Sequence, residues 1–121
     1  MAARKISALY DAALAPVGIS VAQFAVLRTI EHRQPISLTD LAGRLDLDRS
    51  TMGRNVRVIE KIGLVATTKG DDQREAAVSL TDKGAALLAR AIPLWESCQK
   101  DIESRLGPDR VAMIGELLPL L

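Results

Sequence analysis

Residues 38–63, LTDLAGRLDLDRSTMGRNVRVIEKIG, read as two short helical segments joined by a tight turn, and residues 64–81, LVATTKGDDQREAAVSLT, read as a hairpin directly after them. Leu41, Leu45, Leu47 and Met52 take the apolar positions of a helix-turn-helix, with Ala42 as the small residue where the two helices cross. Asp46 stands at the turn where glycine is usual, and Asp tolerates the left-handed backbone that the turn requires. A helix-turn-helix sets its second helix in the major groove of DNA, and a hairpin beside it can reach the neighbouring minor groove. The implied fold class is mainly α with a small β-hairpin wing, a winged helix-turn-helix.

Asp48 caps the second helix of the motif, which runs to Ile62, and Gly63 supplies its left-handed stop. Met52, Val56 and Ile59 recur at four and three residues and form the inner face. At about 100° per residue the opposite face carries Ser50, Arg54, Arg57 and Lys61, with Gly53 on the flank. Four cations, Arg49, Arg54, Arg57 and Lys61, stand there against one anion, Glu60. Arg49, Ser50 and Thr51 occupy the first turn, the end that usually meets base edges. Arg54 can bridge O6 and N7 of a guanine, while Arg57 and Lys61 suit phosphates. Gly53 lets DNA approach the helix closely. Basic residues three or four apart are also common on solvated helix faces, so the preceding half-motif tips the balance toward DNA. Asn55 departs from the pattern, because an apolar residue is more usual at that position.

In the hairpin, Gly70-Asp71-Asp72 makes the turn between strands Val65–Lys69 and Ala76–Leu80. Arg74 lies just past it, and a single guanidinium there suits a narrow, electronegative minor groove. Asp72 can orient that guanidinium by a charge-assisted hydrogen bond. Taken alone, the two would read as an exposed pair that tidies the turn.

Outward from this unit the chain is helical. Residues 4–15 present Ile6, Leu9, Tyr10, Ala13 and Leu14 on one face and stop before Pro16 and Gly18. Ser20 and Gln23 form a capping box, with Ile19 placed to staple onto Phe24, for a helix to about His32 that Gln34-Pro35 interrupts. Ser37 with Asp40 caps the short helix that opens the motif. Thr81 caps a long helix from Asp82 to about Arg105, bent at Pro93, and Gly107-Pro108 separates it from a last helix over 109–118.

The 121 residues suit one domain, 1–121, with residues 37–80 as its winged helix-turn-helix part. Hydrophobic residues make up 48% and aromatics 2%, which favours packed helices over an aromatic sandwich or a base-stacking RNA platform. A net charge of +1 makes the local basic stripe, not the total, the mark of a nucleic-acid partner. The single Cys98 leaves no internal disulfide and fits a reducing cytosol. No secretory signal or membrane span is visible, so a cytoplasmic location is expected. One His and one Cys on different elements, with no metal-ligand cluster or phosphate loop, argue against an enzyme, a metal site or a cofactor.

The long helix is apolar on two faces. Ala85, Leu88, Ile92, Trp95, Ile102 and Leu106 make one stripe, and Leu87, Ala91, Leu94 and Cys98 make the other. One stripe can cover its own domain while the other needs a partner, as do Val111, Ile114, Leu117, Leu118 and Leu121. A homodimer built from residues 1–19 and 82–121 would set two reading helices about 34 Å apart, one turn of DNA. Tyr10, Phe24, His32 and Trp95 can line a cleft between the dimerising and DNA-reading parts; aromatic core and a helix-ending His are the commoner reasons for such residues. Cys98 in an Ala/Leu-rich helix reads more readily as inert packing than as a redox switch.

Taken together, the chain resembles the MarR family of bacterial winged helix-turn-helix regulators. Asp72-Gln73-Arg74 followed by Val78-Ser79-Leu80-Thr81-Asp82-Lys83-Gly84 is similar to the family's D-x-R…V-x-L-T-x-x-G wing signature. Gly18-Ile19-Ser20 through Leu27 is similar to its G-L-T-x-x-Q-F-x-v-L stretch. The resemblance implies a homodimeric transcriptional repressor on a near-palindromic operator of double-stranded DNA, with a small phenolic or lipophilic effector acting near the dimer interface in many members. It assigns Arg49, Ser50, Thr51, Arg54 and Arg57 to the major groove and Asp72 and Arg74 to the wing. A rival reading is a winged-helix protein–protein assembly module whose basic helix faces an acidic partner.

Overall fold

A computed structural model describes residues 2–69 and 76–106. The first helix, α1, spans Ala2–Leu14, and Ile6, Tyr10 and Leu14 are buried at its four-residue spacing. A short 3-10 turn, Ala15–Val17, follows, and the Gly18 N–H bonds the Ala15 carbonyl at 2.9 Å with Gly18 at φ 77°. That left-handed conformation carries little penalty for glycine alone. Helix α2, Val21–Arg33, starts with the capping box its sequence implies: Gln23 N donates to Ser20 Oγ, and Ser20 N donates to Gln23 Oε1. Asp11 of α1 accepts from Val21 N at 2.7 Å, so a neighbouring helix satisfies another orphan donor of α2.

A two-residue strand β1, Ile36–Ser37, leads into helix α3, Leu38–Arg44, where Ser37 Oγ accepts from Asp40 N. Helix α4 spans Arg49–Lys61, strands β2 and β3 span Val65–Lys69 and Ala76–Leu80, and helix α5 spans Asp82–Leu106 with Pro93 inside it. The sheet is antiparallel in the order β1-β3-β2, with Ile36 opposite Val78 and Val65 opposite Leu80. The expected hairpin therefore gains a third strand. Two residues are too short to show an alternating pattern, and β1 exists only because the outer edge of β3 offers it partners.

The core joins these layers. Trp95 of α5 stacks on Tyr10 of α1 (centroids 6.0 Å apart) and on Phe24 of α2 (5.7 Å), binding these three helices together. Leu41, Met52, Ile59 and Val78 seat the helix-turn-helix and the sheet on the same cluster. No single described helix is long and apolar enough to cross a membrane.

Two details of the apolar pattern are corrected. Ala85 is exposed, and Ala91 joins Gly84, Leu88, Trp95 and Ile102 on the buried side of α5. Residues 84, 88, 91, 95 and 102 follow the 3.6-residue turn more closely than a stripe begun at 85. Leu47, assigned to the helix-turn-helix core, is 39% exposed. It lies in the loop after α3, where its N–H bonds the Ala42 carbonyl at 2.9 Å and its side chain is left outside. The last helix expected over 109–118 lies outside the described residues.

Candidate nucleic-acid interface

Three features position α4. The turn before it needs one left-handed residue, and Asp46 takes that role at φ 54°. Its N-terminus is closed by Asp48, whose Oδ1 accepts from Thr51 N at 2.8 Å and from Ser50 Oγ at 2.8 Å, while Oδ2 accepts from Thr51 Oγ1 at 3.0 Å. These bonds favour the charged carboxylate, the Thr51 N–H most of all, and lower its pKa from 3.8 to about 2. Its inner face, Met52, Val56 and Ile59, is fully buried.

The outer face is open. Arg49, Ser50, Arg54, Arg57 and Lys61 are exposed, and Thr51 and Gly53 are half-buried. Among the described residues the ion pairs are Arg28–Glu31, Arg44–Asp40 and Arg105–Asp101, so none engages the cations of α4. Arg54 instead donates from Nη2 to Thr51 Oγ1 at 3.2 Å, which starts a chain Arg54–Thr51–Asp48–Ser50 along one side of the helix. Among the described residues, nothing beyond the helix's own backbone and the adjoining residues lies within 4 Å of a Cβ built at Gly53. A helix with one buried face and one open cationic face can present guanidinium and ammonium donors to a polyanion without first breaking internal pairs. Asn55 is exposed and lines a shallow cleft of about 210 Å³ with Ser20, Gln23, Val26, Val58 and Ile59. An apolar residue is thus not needed at that position.

The far end of α4 is fixed by Gly63 and Thr81 together with groups whose role local spacing does not reveal. Glu60 Oε2 accepts from Thr67 Oγ1 at 2.6 Å and from Thr67 N at 3.2 Å, tying α4 to the edge strand β2 of the wing. Gly63, at φ 84°, turns the chain. The carbonyls beyond the helix then meet the start of α5: Leu64 O accepts from Thr81 N, Gly63 O from Thr81 Oγ1, and Ile62 O from Lys83 Nζ. Thr81 Oγ1 also accepts from Gly84 N. A Cβ at Gly84 would collide with the Leu64 carbonyl, so this close approach requires glycine. The L-T-x-x-G stretch is therefore the joint between the basic helix and α5. Single-sequence periodicity cannot show such a joint, because its bonds link residues about twenty apart.

Asp72 and Arg74 lie outside the described residues. Tyr10, Phe24 and Trp95 are brought together as a buried stack, whereas His32 is exposed on the last turn of α2, outside that cluster. The Trp95 indole N–H is buried with no hydrogen-bond partner among the described residues. Burial pushes the Cys98 thiol above its ordinary pKa, with Asp101 adding to the rise, which disfavours a reactive thiolate.

A helix-turn-helix whose second helix leads into a three-stranded sheet defines a winged helix-turn-helix protein. A sequence profile of the MarR family matches residues 19–76. A Bacillus cereus protein named as an HTH-type transcriptional regulator is 32% identical over 101 residues, covering 83% of this chain and 67% of that protein. Several further Bacillus relatives are matched over 50% of their length, so the chain spans about half to two thirds of the curated relatives it resembles. The M. tuberculosis transcriptional regulator MosR, solved in complex with DNA, superposes with a TM-score of 0.85 at 36% identity, covering 98% of this chain and 88% of that one. The transcriptional repressor CouR, solved on a 23-mer DNA duplex, superposes at 0.86 with 30% identity, covering 98% and 86%. The chain belongs to the MarR family.

Proposed function

We propose that this protein is a sequence-specific regulator of transcription that binds double-stranded DNA through α4, acting as a homodimer and a repressor on a pseudo-palindromic operator. The observation that carries the reading is the open cationic face of α4, with Arg49, Arg54, Arg57 and Lys61 exposed behind a buried Met52–Val56–Ile59 face. MosR and CouR, similar over nearly the whole chain, were each solved on DNA. Arg54 reads a guanine, Arg49, Ser50 and Thr51 contact base edges nearby, and Arg57 and Lys61 hold phosphates. Gly53 admits the close approach of DNA, and Asp72 with Arg74 brings the wing to the minor groove.

Residues 37–80 form the DNA-reading part, and residues 1–19 and 82–121 pair two copies. Leu9 of α1 is 43% exposed, and Leu87, Ile92, Leu94 and Cys98 of α5 are half-buried, an apolar surface that a second copy would cover. A small phenolic or lipophilic effector would act where Tyr10, Phe24 and Trp95 meet, with an acceptor atom satisfying the Trp95 N–H. The test of the central reading is selection from random duplex DNA. Wild type should recover a palindrome with half-sites about 10 base pairs apart, and Arg54→Ala should bind with a relaxed choice of sequence. Recovery of no common sequence refutes it.

A further inference from the structure

The bonds of Asp48 decide more than the start of a helix. A carboxylate only accepts, so both hydroxyls that touch it are donating: Ser50 Oγ to Oδ1 at 2.8 Å and Thr51 Oγ1 to Oδ2 at 3.0 Å. Each hydroxyl has a single proton, and in both cases it is committed to Asp48. The Thr51 oxygen also accepts from Arg54 Nη2 at 3.2 Å, whereas the two lone pairs of the Ser50 oxygen have no other partner among the described residues. Ser50 and Arg54 are exposed and four residues apart, so they share one face about a turn, or roughly 5.4 Å, from each other.

From this geometry we infer that Asp48 fixes the hydrogen-bond polarity of the reading face: Ser50 presents only acceptors and so selects a base with an exocyclic amino group, cytosine N4 or adenine N6, beside the base that Arg54 reads. The inference rests on the DNA-binding reading of α4 and specifies its chemistry. In the major groove, guanine O6 and N7 and thymine O4 offer only acceptors, which a lone-pair-bearing Ser50 oxygen cannot bond. Cytosine N4 and adenine N6 carry the donors it needs. The adjoining guanidinium has the opposite polarity and takes guanine. Asp48 thus acts as a positioning residue, selecting bases without touching one. Since its pKa lies at about 2, the acceptor state persists throughout the neutral range.

The test compares wild type, Ser50→Ala and Asp48→Gly on the duplex that each enriches from random DNA. The same duplexes are then remade with the amino-bearing base near the Arg54 contact replaced by 2-pyrimidinone or unsubstituted purine, which lack the exocyclic amino group. Gly is tolerated as a helix cap and carries no side-chain acceptor, which frees the Ser50 hydroxyl proton to point at DNA; Asn would not serve, because the amide oxygen that caps Thr51 N is the one Ser50 already bonds. Wild type should bind the analogue duplex about five- to tenfold more weakly. Ser50→Ala should bind both duplexes alike, and Asp48→Gly should extend its preference at that position to guanine or thymine. Only ratios between duplexes count, because removing the Asp48 charge strengthens binding to every duplex. If all three proteins enrich one sequence and the analogue binds as tightly as the natural base, the polarity assignment fails while DNA binding by α4 stands. If wild type enriches no sequence, the underlying reading fails with it.

Discussion

The joint between α4 and α5 makes Gly84 the most informative single position for stability. At Gly84→Ala, the new methyl group would overlap the Leu64 carbonyl and lie 2.9 Å from its carbon and 3.2 Å from its Cα. All three are backbone atoms and cannot rotate away, so the first turn of α5 must retreat from the corner. Overpacking of this kind costs about 1–3 kcal/mol. The Thr81 N to Leu64 O bond, 3.1 Å long, stretches with it and adds about 1 kcal/mol. Replacing a helical glycine by alanine returns about 0.5–1 kcal/mol, leaving a net loss of about 1–3.5 kcal/mol. For a domain of this size that lowers Tm by about 3–17 °C, readable by thermal melting followed at the helical circular-dichroism signal. Gly53→Ala is the matched control, since among the described residues nothing outside its own helix lies within 4 Å of its Cβ. It should gain about 0.5–1 kcal/mol while weakening DNA binding. A Gly84→Ala protein that melts within about 2 °C of wild type would refute the reasoning.

Three further outcomes are expected. Lys61→Ala should weaken binding to all duplexes about equally and reduce the slope of log affinity against log salt by about one, whereas Arg54→Ala should lose about 1–3 kcal/mol of discrimination at one position; anisotropy titrations over a salt series separate them. The pKa of Asp48 is depressed in the folded state, so its contribution to stability is complete above the ordinary value of 3.8 and is lost as pH falls toward about 2. Urea midpoints measured down to pH about 2 should fall more steeply for wild type than for Asp48→Asn, and parallel curves contradict the assignment. Glu60→Ala removes both bonds from Thr67 to α4 and should raise hydrogen exchange at the Thr67 amide while leaving α2 protected; unchanged exchange there means that the tie contributes nothing.

Much of this architecture is legible in local chemistry. The capping pairs at Ser20, Ser37 and Asp48 act within three residues, and each appears as a bond. The inner face of α4 follows from its four-and-three spacing, because one helix turn decides which residues are buried together. Strand β1 is not legible, since Ile36–Ser37 pairs with residues forty or more positions away. Along α5 the apolar spacing points to Ala85 while the fold buries Gly84, because a small residue fits either face and the decision falls to tertiary contacts. The roles of Glu60, Lys83 and Gly84 likewise come from partners distant in sequence. Residue type alone groups His32 with Tyr10, Phe24 and Trp95, and the fold leaves it in solvent.

Dimethyl sulfate interference on the selected duplex tests most directly whether the cations of α4 enter the groove. A methyl group on guanine N7 occupies the atom that Arg54 is assigned to bond. The account predicts that methylating one guanine in each half-site blocks wild-type binding, at positions about one helical turn apart, and that Arg54→Ala becomes indifferent to the same methyl groups. Tight wild-type binding to duplexes methylated at every guanine N7 would contradict it.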